Sequence, residues 1–340
     1  MILALASYNI DMNKKQNLPD VQMIDEHAYY NRRRFLKRAG MGVLGAGLIG
    51  AVGMRLATID LPPAMAAATK DQLLRPGVAR EDILKLFPAA KNDAFTLKQK
   101  LTDESVAASY NNFYEFTTDK AGVWRLAQDF NPDPWSVEVT GECMKPGKFD
   151  LDDLFKFEQE ERAYRFRCVE AWAMDVPWTG FELRKLLEAV QPTDHAKYVR
   201  FVTANRPKEM PGIARQAWYP WPYFEGLRMD EAMNELTLLA TGIFGRPLPR
   251  QHGAPVRLVV PWKYGYKSPK SIVRIELVRE QPKTFWETLQ ANEYPFESNV
   301  NPAVPHPRWS QASERMIDSG DRRETLPYNG YGEFVAKLYS

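Results

Sequence analysis

The chain has 340 residues, with 45 Lys+Arg against 43 Asp+Glu for a formal net charge of +2, 44% hydrophobic residues, two cysteines and four histidines. That length suffices for one large domain or two closely packed ones, and the near-neutral balance gives no basic footprint for nucleic acid. Zinc sites or iron–sulfur clusters held by four cysteines are excluded by count, and no Cys-x-x-Cys-His haem attachment exists.

The first landmark is Asn31-Arg32-Arg33-Arg34-Phe35-Leu36-Lys37, followed by a Gly-rich apolar run and then Pro-Pro-Ala-Met-Ala-Ala-Ala. It reads as a twin-arginine export signal, used mainly by proteins that cross the membrane already folded, often because a cofactor has been inserted first. A membrane anchor fits less well. The apolar stretch Ala39 to Met54 has 16 residues, six of them Gly, whereas a spanning helix wants about 20 with few breaks. Small residues at Ala64 and Ala66 place the expected cut after Ala66, so residues 1–66 form a cleaved leader handled by the twin-arginine export machinery and the mature chain is periplasmic. The mature chain then has 37 basic and 38 acidic residues, Cys143 and Cys168, and His195, His252 and His306. A site of paired cysteines and paired histidines survives the count but lacks the usual close spacing. A disulfide between the two cysteines is allowed in an oxidising compartment and stays open.

Residues 67–109 read as a helical lead-in, with Ile83, Leu84 and Phe87 at helical spacing beside Arg80, Glu81 and Asp82. From Trp135 the period changes to two: Trp135, Val137 and Val139 share one face, Ser136, Glu138 and Thr140 the other, up to Gly141. Asp150 caps a short helix carrying Leu151, Leu154 and Phe155. A strand through Tyr164 to Cys168 follows, then a helix with Leu183, Leu186, Leu187 and Val190 on one stripe, and a strand from Lys197 to Thr203. Asp230 opens another helix, and Val256 to Val260 and Ser271 to Val278 are strands. This irregular alternation predicts an α+β fold with mixed, largely antiparallel sheets and short helices. Residues 110–340 are expected to be one catalytic domain whose tail, from Lys283, wraps over its surface.

Three windows could carry chemistry. In Tyr164-Arg165-Phe166-Arg167-Cys168-Val169-Glu170-Ala171-Trp172, two arginines beside the sulfur favour a thiolate, the form that ligates soft metals or acts as a nucleophile; a buried structural thiol is the alternative. Cys143, in a turn-like setting, reads as structural. In the second, Gln251-His252-Gly253-Ala254-Pro255-Val256-Arg257 leads to a basic loop through Lys267-Ser268-Pro269-Lys270, offering backbone N–H groups and cations for a phosphate. It is not a P-loop, and no Gly-x-Gly-x-x-Gly precedes a helix in the mature chain. The third is Tyr110-Asn111-Asn112-Phe113-Tyr114-Glu115-Phe116, amides and a carboxylate in an aromatic frame.

Together with Pro261-Trp262-Lys263-Tyr264-Gly265 and His306-Pro307-Arg308-Trp309-Ser310-Gln311, these windows resemble the molybdopterin-binding fold of the sulfite oxidase superfamily, and most closely the catalytic subunits of the periplasmic protein-methionine-sulfoxide reductases, the MsrP family. The resemblance implies that Cys168 is the single protein thiolate on molybdenum, with one molybdenum per chain bound through molybdopterin. It implies further that Asn111, Tyr114, Glu115, Thr203, His252, Arg257, Ser268, Pro269 and Lys270 hold the pterin and its phosphate. Two positions depart from the best-known family pattern: His252 replaces an asparagine, and Pro269 lacks the backbone N–H found there. Glu170 is a candidate catalytic group for proton delivery or water ordering, or a structural partner of Arg165 or Arg167.

The implied reaction is reduction of methionine sulfoxide in oxidised periplasmic proteins, with electrons from a membrane-embedded b-type haem subunit, since the chain has no haem or iron–sulfur motif of its own. Val169-Glu170-Ala171-Trp172-Ala173-Met174, acidic and apolar, suits a neutral sulfoxide better than a dianion. A sulfite-oxidising molybdoenzyme and a metal-free periplasmic binding module are the alternatives.

Overall fold

In the computed structural model, which describes residues 69–340, the period-two segments pair into two sheets. The leader, residues 1–66, lies outside the described residues. The smaller sheet has the order β3-β2-β11-β6-β7. Its members are β2 (Ser136–Gly141), β3 (Gly147–Asp150), β6 (Tyr198–Thr203), β7 (Phe224–Arg228) and β11 (Ile272–Val278). All its pairs are antiparallel except β2 with β11. Asp150 closes β3 and caps the helix Leu151–Lys156 through a capping box with Asp153, and the stripe Leu183, Leu186, Leu187 and Val190 is buried as its spacing predicts.

The larger sheet is organised around β5 (Trp172–Glu182), buried at every position. One edge of β5 pairs along its length with β4 (Glu160–Arg167), antiparallel. The other edge forks. Trp172 and Ala173 pair in parallel with β12 (Ser313–Met316), while Trp178 to Glu182 pair antiparallel with β8 (Leu238–Ile243). Pro177 falls at the fork. Its carbonyl accepts from the Phe244 N–H on the β8 side, so its missing donor faces an edge where no ladder bond is required. β9 (Arg246–Pro247) and β10 (Arg257–Val259) extend the β8 arm, and β13 (Arg322–Glu324) closes a hairpin on β12. The α+β expectation with largely antiparallel sheets is therefore met.

Two expectations change. The lead-in is helical only in short pieces, Lys70–Leu74, Glu81–Leu84 and Glu104–Ser109, broken at Pro76 and Pro88, and β1 (Ala90–Lys91) joins the sheet beside β4. The tail does not merely wrap the surface, because β12 enters the main sheet. The tail brings Glu314 of β12, fully buried, between Arg165, Arg167 and Arg323, and Tyr331 and Val335 into the main core.

Candidate active site

Cys168 opens a tight turn between β4 and β5. The Ala171 N–H donates to the Cys168 carbonyl at 3.1 Å and the Cys168 N–H to the Trp172 carbonyl at 2.9 Å, with Ala171 at φ 62°. This turn sets the next carboxylate beside the sulfur. Glu170 Oε2 is 3.5 Å from Cys168 Sγ, and Asn112 Nδ2 reaches both, at 3.4 Å to sulfur and 3.3 Å to the carboxylate.

The arginines flanking the cysteine do not act on it as the sequence suggests. Arg165 Nη2 and Arg167 Nε turn to Glu314, at 3.0 and 3.1 Å, because alternation along β4 sends them away from the sulfur; Arg167 donates to the carbonyl of Cys168. Burial, then the Glu170 charge, push the thiol far above its ordinary range. A metal binding there has to displace the proton itself. The partner of Glu170 is also different from the two arginines considered: Lys120 Nζ lies 3.2 Å from Glu170 Oε1.

The sulfur faces a cavity of about 100 Å³ that opens to solvent. Asn111, Tyr114, Glu115, His252, Arg257, Ser268, Pro269 and Lys270 line it together with Cys168 and Glu170. Thr203 is absent from the wall; its hydroxyl donates to Glu115 Oε1 at 3.2 Å from behind. Gly253, at φ 98°, lets two loops meet here, since a Cβ would stand 2.6 Å from that of Lys270.

The basic loop supplies mainly charge. The N–H groups of Lys267, Ser268 and Ser271 are spent on the carbonyls of Tyr264, Gly265 and Gly253, and Pro269 has none. Arg257 donates to the carbonyls of Leu258, His252 and Ser268, and Lys270 Nζ to that of Asn112 at 2.6 Å. Neither makes an ion pair within 4.0 Å among the described residues, although Lys270 feels the charge of Glu115. Burial lowers the Arg257 guanidinium to about 9; burial, then Arg257, lower the Lys270 ammonium. Burial raises the Glu115 carboxyl, and the Lys270 charge pulls it back down. Burial, with Arg257 and Lys270, holds His252 at about 3, neutral at physiological pH. Two buried basic groups that make no close ion pair, beside the unpartnered Asn111 Oδ1 and Asn112 Oδ1, fit an anionic, hydrogen-bonding cofactor with a phosphate, and Cys168 fits its metal.

Sequence reasoning placed Tyr110, Asn112 and Trp172 in its chemical windows without giving them a role, and it missed Lys120 and the aromatic side chains of Tyr266, Trp286 and Tyr294. Asn112 had a signal, adjacency to Asn111. Lys120 had none: it arrives because the Asn111 N–H donates to the Lys120 carbonyl at 3.0 Å, folding the loop back. Cys143 is a free, half-buried thiol remote from the wall, and no disulfide joins it to Cys168.

Residues 124–286 match the family model of the oxidoreductase molybdopterin binding domain. A protein-methionine-sulfoxide reductase catalytic subunit MsrP from Burkholderia mallei is 47% identical over 328 residues, covering 95% of this chain and 93% of its own. Another of that name from Pseudomonas syringae pv. tomato is 54% identical over 261 residues, 75% of this chain and 77% of its own. Among solved structures, the sulfane dehydrogenase SoxCD from Paracoccus pantotrophus aligns at 16% identity and a TM-score of 0.43, covering 82% of this chain and 63% of that one.

Proposed function

The chain belongs to the MsrP family of protein-methionine-sulfoxide reductase catalytic subunits, and on that footing we propose that it reduces methionine sulfoxide in oxidised periplasmic proteins, taking electrons from a membrane-embedded haem subunit after export by the twin-arginine pathway. The observation that carries the site assignment is the convergence of Cys168, Glu170, Arg257 and Lys270 on one cavity.

In this reading Cys168 is the thiolate ligand of one molybdenum per chain. Arg257 and Lys270 face the pterin phosphate, whose charge removes the cost of burying them. Asn111, Tyr114, Glu115, His252, Ser268 and Pro269 line the pterin, and Thr203 orients Glu115. The bound cofactor supplies the two-electron abstraction of oxygen from sulfur. Glu170, held by Lys120, Asn112 and Trp172, stands 3.5 Å from the sulfur, where it can order a water or pass a proton. The aromatic side of the cavity accepts the apolar stem of the substrate side chain.

Reduction of methionine sulfoxide with reduced viologen, wild type beside Cys168→Ser, together with metal analysis, tests this. The expected result is about one molybdenum per chain and turnover in the wild type, with both lost in the variant. Fully loaded wild-type protein that leaves methionine sulfoxide untouched and oxidises sulfite would overturn the substrate assignment.

A further inference from the structure

Trp218 is 72% exposed, the most exposed large hydrophobic side chain among the described residues. It is not on a loose loop. The Tyr219 N–H donates to the Gln216 carbonyl at 3.0 Å, the Trp221 N–H to the Tyr219 carbonyl at 2.8 Å, and Trp221 Nε1 to the Gln216 carbonyl at 2.9 Å. Pro220 and Pro222 stiffen the same segment. A tryptophan held in water by a rigid backbone costs little ordering entropy when something covers it.

The ring of Trp218 packs edge-on against Tyr219 at 5.8 Å. Tyr219 meets Tyr114 at 6.5 Å and Trp286 at 6.3 Å, and Tyr114 and Trp286 both line the cavity of Cys168. An aromatic strip therefore runs without a break from the reaction cavity to the exposed Trp218. The segment from Gln216 to Tyr223 contains no charged residue, so what it offers a partner is apolar and aromatic surface.

We propose that this strip, ending on Trp218, is the docking surface for apolar residues that flank the oxidised methionine in a protein substrate. The inference rests on the reductase reading and specifies how that site selects its polypeptide. An apolar surface that begins where the sulfoxide must react is covered by whatever chain the sulfoxide is attached to. Large aromatic side chains supply such contact at low entropic cost and dominate recognition surfaces.

The test compares molybdenum-loaded wild type with Trp218→Ala, driven by reduced viologen, on two substrates: free methionine sulfoxide, and a fluorescein-labelled peptide whose methionine sulfoxide lies between Leu and Phe. Peptide binding is read separately by anisotropy without reductant. The expected result is a roughly five- to thirtyfold rise in KM and Kd for the peptide, unchanged kcat, unchanged turnover of free methionine sulfoxide, and substantial recovery in Trp218→Phe. An unchanged peptide KM, or an equal loss on both substrates, overturns it. So does a defect seen only with the membrane electron donor, which would give the strip to that partner, or loss of self-association in the variant, which would give it to a second copy. Loaded wild type that binds the peptide but reduces neither substrate would instead sink the reductase reading on which this rests.

Discussion

Lys120 Nζ stands 3.2 Å from Glu170 Oε1 while Asn112 and Trp172 donate to the opposite carboxylate oxygen at 3.3 and 3.1 Å. Burial alone would raise the Glu170 carboxyl, but the Lys120 charge and these hydrogen bonds outweigh it and hold the group below the ordinary carboxylate range. Glu170 is thereby fixed in orientation as well as in charge, next to the sulfur that the proposed mechanism places on the metal.

Removing that support should weaken turnover without emptying the site. Lys120→Met is expected to lower kcat by about 10- to 100-fold, the range usual for partners that orient groups around a metal, with molybdenum content unchanged. Lys120→Arg, which keeps a cation in reach, should recover most of it. Metal analysis beside viologen-driven kinetics checks both, and wild-type kcat in Lys120→Met would mean that the pair is only structural.

His252 gives a pH prediction with a definite sign. Its folded pKa of about 3 lies below the ordinary value, through burial and the Arg257 and Lys270 charges. The unfolded chain therefore binds a proton as pH falls through about 6.5 while the folded chain does not, so stability present above that pH is lost on the way down to 3. Each pH unit in that window costs about 1.4 kcal/mol. His252→Asn removes the titration. Cofactor-free His252→Asn should lose about 2–3 kcal/mol less than wild type between pH 7 and pH 4.5 in denaturant unfolding; parallel losses would show that His252 is solvated.

Glu314 is the shared counter-ion of Arg165, Arg167 and Arg323, at 3.0, 3.1 and 2.6 Å, and is fully buried. Taking away one member of such a cluster leaves uncompensated charge inside the fold. Glu314→Gln is expected to destabilise by about 3–5 kcal/mol. Because Arg167 also holds the Cys168 carbonyl, the variant should retain less molybdenum. A urea midpoint close to that of the wild type would contradict this.

Local chemistry was legible in the sequence where local forces decide the structure. The Asp150 cap, the alternation from Trp135 to Gly141, the helical stripe from Leu183 to Val190 and the strand ending at Cys168 all follow from spacing alone. The central strand β5 did not, because Asp175, Pro177 and Gly180 each argue against a buried strand when read singly. Asp175 is answered by Arg323 at 2.6 Å, 148 residues away, and Pro177 by the fork in the sheet. The direction of Arg165 and Arg167 was illegible for the same reason, since Glu314 reaches them only through the tail. At the cavity, all the expected cofactor contacts except Thr203 reached one wall, whereas Lys120 depended on a loop closure with no pattern of its own.

Gly212 offers a way to disturb the cofactor wall from behind. A Cβ at this position would meet the Tyr114 carbonyl oxygen at 2.2 Å and the Glu115 backbone at 2.7 Å, and the next residue, Ile213, donates its N–H to the Glu115 carbonyl at 3.2 Å. Both neighbours are backbone, so neither can swing aside as a side-chain tip would. Gly212→Ala must therefore push the segment carrying Tyr114 and Glu115 toward the cavity, at a cost of about 1–3 kcal/mol. That segment is itself part of neither sheet. The variant is expected to fold with wild-type far-ultraviolet circular dichroism while holding markedly less pterin and molybdenum, measured by cofactor fluorescence after acid release and by metal analysis. Full cofactor content in a destabilised Gly212→Ala would separate packing at Gly212 from the cofactor wall and remove Tyr114 and Glu115 from the residues that set its shape.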